Sequence, residues 1–137
     1  MTSRPILFSA PMVRALLNGS KTQTRRICKL DVRAGMPEPE VASLLKCCPY
    51  GQPGDELWVR ETLDHDAARG HFYKATGMYV GPLLDYEREP PPAIGLPTRA
   101  IPSIHMPRWA SRITLRITDV RVERLQDISE ADAIAEG

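Results

Sequence analysis

Several marks of large protein classes are missing from this chain. Its 137 residues hold three cysteines, Cys28, Cys47 and Cys48, an odd count with no framework spacing. Adjacent Cys47 and Cys48 make a poor disulfide pair, and no second pair completes a zinc site, so reduced thiols in a cytoplasmic protein are the expectation. A basic segment followed by a long apolar run is absent from the N-terminus, and no later run could span a bilayer, so no membrane role is expected. There are no internal repeats. Net charge is scarce as well: 18 Lys and Arg against 17 Asp and Glu leave a formal +1. That balance argues against a globally polybasic nucleic-acid binder. The cations are nevertheless clustered, with Lys21, Arg25, Arg26, Lys29 and Arg33 early and Arg99, Arg108, Arg112, Arg116, Arg121 and Arg124 late. They make either one local basic surface, if the fold joins them, or two ordinary solvated faces.

What is present starts with a short strand over Arg4–Phe8 and a helix over Ser9–Leu17. Ser9 suits the N-cap, Pro11 the first turn, and Gly19 a left-handed cap after the C-terminus. Straight after that glycine come Lys21-Thr22-Gln23-Thr24-Arg25-Arg26, read as a turn leading into a strand. Two readings fit: a solvated Thr-rich strand, or a site formed where cap becomes strand. Lys21 and Thr24 are three apart, so they converge only if Lys21 belongs to the turn. A lysine beside a hydroxyl is one way to activate a weak nucleophile.

Further along, helical spacing predicts a helix over Glu40–Cys47, and turn residues Cys48–Asp55 lead into a strand over Glu56–Thr62. In that strand Leu57, Val59 and Glu61 share one face. Glu61 is therefore either a rim charge or a group facing the cavity of Lys21. His71–Ala75 is a further strand, and 81–102 is a long proline-rich excursion. Ile113–Leu125 is the strongest strand pattern, with a parity switch near Thr118-Asp119 that suggests a bulge. Ser129-Glu130-Ala131-Asp132 is similar to a capping box opening a last helix. The expectation is one α+β domain over residues 1–137 with two or three short helices.

Gly19-Ser20-Lys21-Thr22-Gln23-Thr24-Arg25-Arg26 resembles the Gly-x-Lys-Thr-x-Thr-x-Arg signature of ASCH domains. Gly54–Glu61, Pro102–Arg112 and the stretch from Leu125 to Glu136-Gly137 agree in order, with the look of ASCH-like proteins of phages and prophages. The resemblance implies a small PUA-like β-barrel. It also implies one more strand after Gly137, so the barrel is expected to be incomplete at the C-terminus. An edge left open could pair with a second copy in a homo-oligomer.

A small bacterial member of that family hydrolyses N(4)-acetylcytidine with a Lys, a Thr three residues later and a late-helix Glu. By resemblance these fall on Lys21, Thr24 and Glu136, with Thr24 as nucleophile and either Lys21 or Glu136 as base. Arg26 or Trp109 would grip the nucleoside. Trp109 is equally suited by type to core packing. His105 has no ligand-type residue at metal spacing beside it; a structural hydrogen bond is its ordinary role and substrate contact the alternative. No metal and no cofactor are expected. The partner is either a small nucleoside or, in a non-catalytic reading suspected for the wider PUA-like group, RNA.

Overall fold

A computed structural model describes residues 1–27, 35–80, 96–123 and 127–136. Cys28, Lys29, Arg33, Arg124, Gly137 and residues 81–95 of the proline-rich excursion lie outside the described residues. The chain runs β1 (Ser3–Leu7), α1 (Ala10–Leu17), α2 (Glu38–Lys46), β2 (Glu56–Arg60), β3 (Leu63–Asp66), β4 (Gly70–Tyr73), β5 (Thr114–Arg116) and α3 (Glu130–Glu136). Two single 3-10 turns, Ser103–His105 and Arg108–Ala110, precede β5. The architecture is α+β: three helices on two small sheets, and the described strands close no barrel.

The first sheet has the order β1-β2-β5, with β1 parallel and β5 antiparallel to the central β2. The second is the β3-β4 hairpin. Alternation decides which side chains go inward: Leu57, Val59 and Glu61 are buried, while Trp58 and Arg60 remain partly exposed. Two apolar clusters result. Ile6, Phe8, Val13, Leu57, Val59 and Ala75 fill the space between the first sheet and α1. Leu63, Tyr73, Val80, Ile101, Met106 and Ala110 fill the second, against the hairpin.

Glu61 stands at the junction, between Val59 of one cluster and Leu63 of the other. Its side chain is 2 % exposed and accepts two hydrogen bonds from Arg112, Nε to Oε2 at 2.9 Å and Nη2 to Oε1 at 2.8 Å. Arg112 also lies 4.0 Å from the Tyr73 ring centroid and donates to Thr76 Oγ1 at 2.9 Å. The rim-charge reading of Glu61 is thereby corrected. Face-sharing with Leu57 and Val59 carries the carboxylate into the interior, and a two-pronged guanidinium makes that tolerable.

Two expected strands differ. Among its described residues Ile113–Leu125 is a strand only over Thr114–Arg116, because its partner runs out: β2 begins at Glu56, opposite Arg116. One more pair of bonds, Ile117 N–H to Asp55 O and Gly54 N–H to Ile117 O, reaches the 51–55 turn. That turn needs a glycine at 51, where φ is +121° and a Cβ would stand 2.8 Å from Asp55 Oδ2. Residues 21–26 are not a strand either. The N–H groups of Thr22 and Gln23 donate to a helix carbonyl, Ala135 O, at 2.6 and 3.0 Å.

Arg112→Met leaves the Glu61 carboxylate buried without its partner, and should cost about 3–5 kcal/mol in urea unfolding. Adding Glu61→Leu to that variant should recover most of the loss, since an apolar pair replaces an ion pair at little net cost.

Candidate functional site

The site grows from the end of α1. Its last turn closes on Asn18, and Gly19 follows at φ +81°, a conformation that glycine takes without strain. Gly19 N–H returns to Leu16 O at 3.2 Å and Lys21 N–H to Ala15 O at 3.1 Å. Asn18 Oδ1 accepts from Ser20 N–H at 2.9 Å, completing a compact reversal. Lys21 is thus held to the helix by its backbone while its side chain turns inward, with 3 % of the residue exposed.

Inside, Lys21 Nζ stands 5.6 Å from the centroid of the Phe8 ring and donates to Glu136 O, the last described carbonyl of α3, at 2.5 Å. The final carbonyls of a helix have no partner within it. Here residues 21–23 supply the partners, by one ammonium and two backbone donors.

The opening of α3 is held too. Ser129 Oγ accepts from Asp132 N–H at 3.1 Å and donates to Asp132 Oδ2 at 2.8 Å. The expected capping box is therefore half made, because an aspartate is one carbon too short to reach back to the Ser129 amide. Asp132 instead reaches across, accepting from Gln23 Nε2 at 3.0 Å. Arg25 adds ion pairs to Glu123 at 3.2 Å, Glu136 at 3.6 Å and Asp132 at 3.8 Å.

The carboxylate of Glu136 faces Arg25 rather than Lys21 in its hydrogen bonding: Oε1 accepts from Arg25 N–H at 3.1 Å. Lys21 and Glu136 meet through the main-chain carbonyl. Thr24 lies in the same stretch, and its Oγ1 is buried with no hydrogen-bond partner among the described residues. Leaving a buried hydroxyl unpaired costs about 1–3 kcal/mol.

Burial pushes the Lys21 amine below the ordinary lysine range. The Glu136 carboxylate opposes that and Arg26 adds to it, but desolvation dominates. The shift favours the neutral amine relative to a free lysine, and the buried Thr24 hydroxyl follows three residues later in the same loop.

The other predicted site residues are dispersed. Arg26 is exposed, places its guanidinium 5.3 Å from the centroid of the same Phe8 ring, and donates to Leu7 O at 2.8 Å. Glu61 is committed to Arg112, as described above. His105 is exposed in the first 3-10 turn, and Trp109, in the second, is 55 % exposed. Core packing of Trp109 is thus corrected: a one-turn helix lifts it off the cluster into which Met106 and Ala110 are packed.

A cleft of about 300 Å³ opens beside the site, lined by Pro5, Ile6, Leu7, Arg26, Tyr50 and Arg60. Lys21, Thr24 and Glu136 are not among its lining residues. No group of three or more His, Cys, Asp or Glu able to hold a metal occurs among the described residues. No helix among them is long and apolar enough to cross a membrane. The Arg25, Asp132 and Glu123 cluster escaped sequence reasoning, since nothing local links positions a hundred residues apart; Gln23, inside the motif, was the available signal. Compared with family models, curated proteins and solved structures, the chain finds no match.

The carboxyl of Asp132 is held at about 2 by its side-chain bonds to Gln23 and Ser129, below an ordinary 3.8. A carboxylate depressed on folding contributes stability that is complete above the unfolded value and lost as pH falls through the folded one. Protection of the Thr22 and Gln23 amides against hydrogen exchange should therefore drop between pH 4 and 2. In Asp132→Asn protection should already be low at pH 6, with the acid step missing.

Proposed function

We propose that the chain is an ASCH-type amidohydrolase with a PUA-like fold, removing an acyl group from N(4)-acetylcytidine or a related modified nucleoside. The observation that carries this reading is the buried Lys21 amine, kept by desolvation below the ordinary lysine range, in one loop with a buried Thr24 hydroxyl that has no hydrogen-bond partner among the described residues.

In this mechanism Thr24 Oγ attacks the acyl carbon while the neutral Lys21 amine takes its proton. The tetrahedral adduct collapses by breaking the C–N bond. Lys21 returns the proton to the departing N4 nitrogen, leaving cytidine and an acyl ester on Thr24. A water molecule then gives its proton to Lys21 and its hydroxide to the ester, and the acid leaves as Thr24 is regenerated. Glu136 acts through its carbonyl, which orients the amine, and through its carboxylate, which keeps Arg25 occupied.

Of the two candidate bases, Lys21 is favoured because the Glu136 carboxylate is already bonded to Arg25. Arg26, which lines the cleft, would meet the sugar or base. Cytoplasmic location and a homo-oligomer through an open sheet edge belong to the same reading.

The test is acetate release from N(4)-acetylcytidine, followed by the absorbance change as the acyl group leaves. Thr24→Ala should abolish turnover, and Lys21→Arg should lower it by about 10²–10⁴-fold, both with the melting temperature of the parent. With the neutral amine as base, kcat/KM should rise with pH and level off below the ordinary lysine value of 10.5. Undiminished turnover in both variants would overturn the reading.

A further inference from the structure

The arginines of this chain divide into two electrostatic kinds. Arg25, Arg112 and Arg121 hold the ion pairs found among the described residues. Arg26 and Arg60 meet no carboxylate there, and both line the cleft beside β1. Each is fixed by one backbone carbonyl and one aromatic face. Arg26 donates through Nη2 to Leu7 O at 2.8 Å, with its guanidinium 5.3 Å from the Phe8 centroid. Arg60 donates through Nε to Met106 O at 3.1 Å and lies 5.3 Å from the Trp58 centroid. Such contacts hold a guanidinium in place without cancelling its charge. The two rings are used up as supports. What is left for a ligand is the rest of each fork, Nε and Nη1 of Arg26 and both Nη groups of Arg60, which meet no acceptor among the described residues.

The sheet brings these forks together. Leu7, whose carbonyl pins Arg26, is the register partner of Arg60, and paired strands run roughly 4.8 Å apart. Two like charges therefore face one cleft of about 300 Å³, and an anion between them relieves their repulsion. The rest of the wall used here is Pro5, Leu7 and Tyr50, apolar apart from one hydroxyl. A volume of that size is at the lower end of small-molecule sites, which span about 300–1,000 Å³. With only two guanidiniums facing it, the cleft suits one anionic group rather than a chain of them.

We infer that the cleft binds a small molecule carrying a phosphate monoester, with the phosphate between Arg26 and Arg60 and the apolar part against Pro5, Leu7 and Tyr50. Charge selects the phosphate: a monoester carries about −1.5 to −2 at neutral pH and so matches two cations, whereas a carboxylate leaves one unmatched. Shape agrees, because a planar guanidinium offers two parallel N–H groups to a pair of phosphate oxygens. The inference is separate from the hydrolytic reading, in which Arg26 meets sugar or base. Binding is measured without turnover, and either can fail alone.

The experiment is isothermal titration calorimetry of the full chain with phenyl phosphate, with benzoate as the carboxylate of similar body and a ten-nucleotide oligocytidylate as the polymer. Phenyl phosphate should bind one site, and benzoate about tenfold or more weaker. Arg26→Gln and Arg60→Gln should each weaken phenyl phosphate by about tenfold or more, the loss of a charged hydrogen bond. Arg108→Gln should change it by less than about twofold, since Arg108 does not line the cleft and its charge is screened. Affinity should also fall as pH drops through about 6, where a monoester loses its second charge. Arg26 is exposed, so its variant is the one least open to a folding defect, and near-UV circular dichroism checks each variant. No binding of phenyl phosphate, benzoate binding as tightly, affinity indifferent to Arg26→Gln in a folded variant, or the oligocytidylate binding more tightly than phenyl phosphate would overturn the inference.

Discussion

The junction between the loop after α1 and the end of α3 is the constraint on which the candidate site depends. Carbonyls at the end of a helix need donors, and a lysine buried in a protein needs acceptors. Each requirement is met by the other. Ala135 O takes the N–H groups of Thr22 and Gln23, and Glu136 O takes the Lys21 amine. Arg25 and Asp132 then hold the two segments together from the outside, where water screens the charges and the pairs count for less individually. Without this junction Lys21 would have no reason to stay out of solvent.

The same packing sets up an electrostatic contest. Burial against Phe8 and the proximity of Arg26 favour the neutral amine, whereas the Glu136 carboxylate favours the ammonium. The Glu136 carboxylate makes its hydrogen bond with the Arg25 amide rather than with Lys21. A polar cluster of this kind is costly for a small domain. The core offers a second instance at Glu61 and Arg112, where a buried charge is tolerated because all its oxygens are used. The two cases differ in one respect. Glu61 is fully paired and so reads as structural, while the Thr24 hydroxyl has no partner among the described residues.

Much of the scaffold is legible in the residue order. Gly19 after a mostly apolar segment marks where α1 stops, the alternation of Leu57, Val59 and Glu61 marks the buried face of β2, and Ser129 with Asp132 marks the start of α3. These features are local, so local rules reach them. Extended segments are harder, because a strand exists only where a partner runs beside it. Ile113–Leu125 alternates with a parity switch near Thr118-Asp119, but β2 is long enough to pair with only part of it. Residues 21–26 have strand-like threonines, yet their donors go to α3. Trp109 follows the same logic: its type suits a core, and only the 3-10 turn decides that it faces out. The ion pairs of Arg25 with α3 and of Arg112 with Glu61 join distant positions, for which the residue order holds no local signal.

The central claim, that the α3 junction buries Lys21 and holds its amine below the ordinary range, is tested most directly by titrating the side-chain nitrogen itself. Nitrogen-15 NMR of the Lys21 amine should give a midpoint below 10.5, and Glu136→Gln should move it lower still, because the carboxylate that favours the charged form is gone. A midpoint at the ordinary lysine value, unmoved by that substitution, would contradict the account.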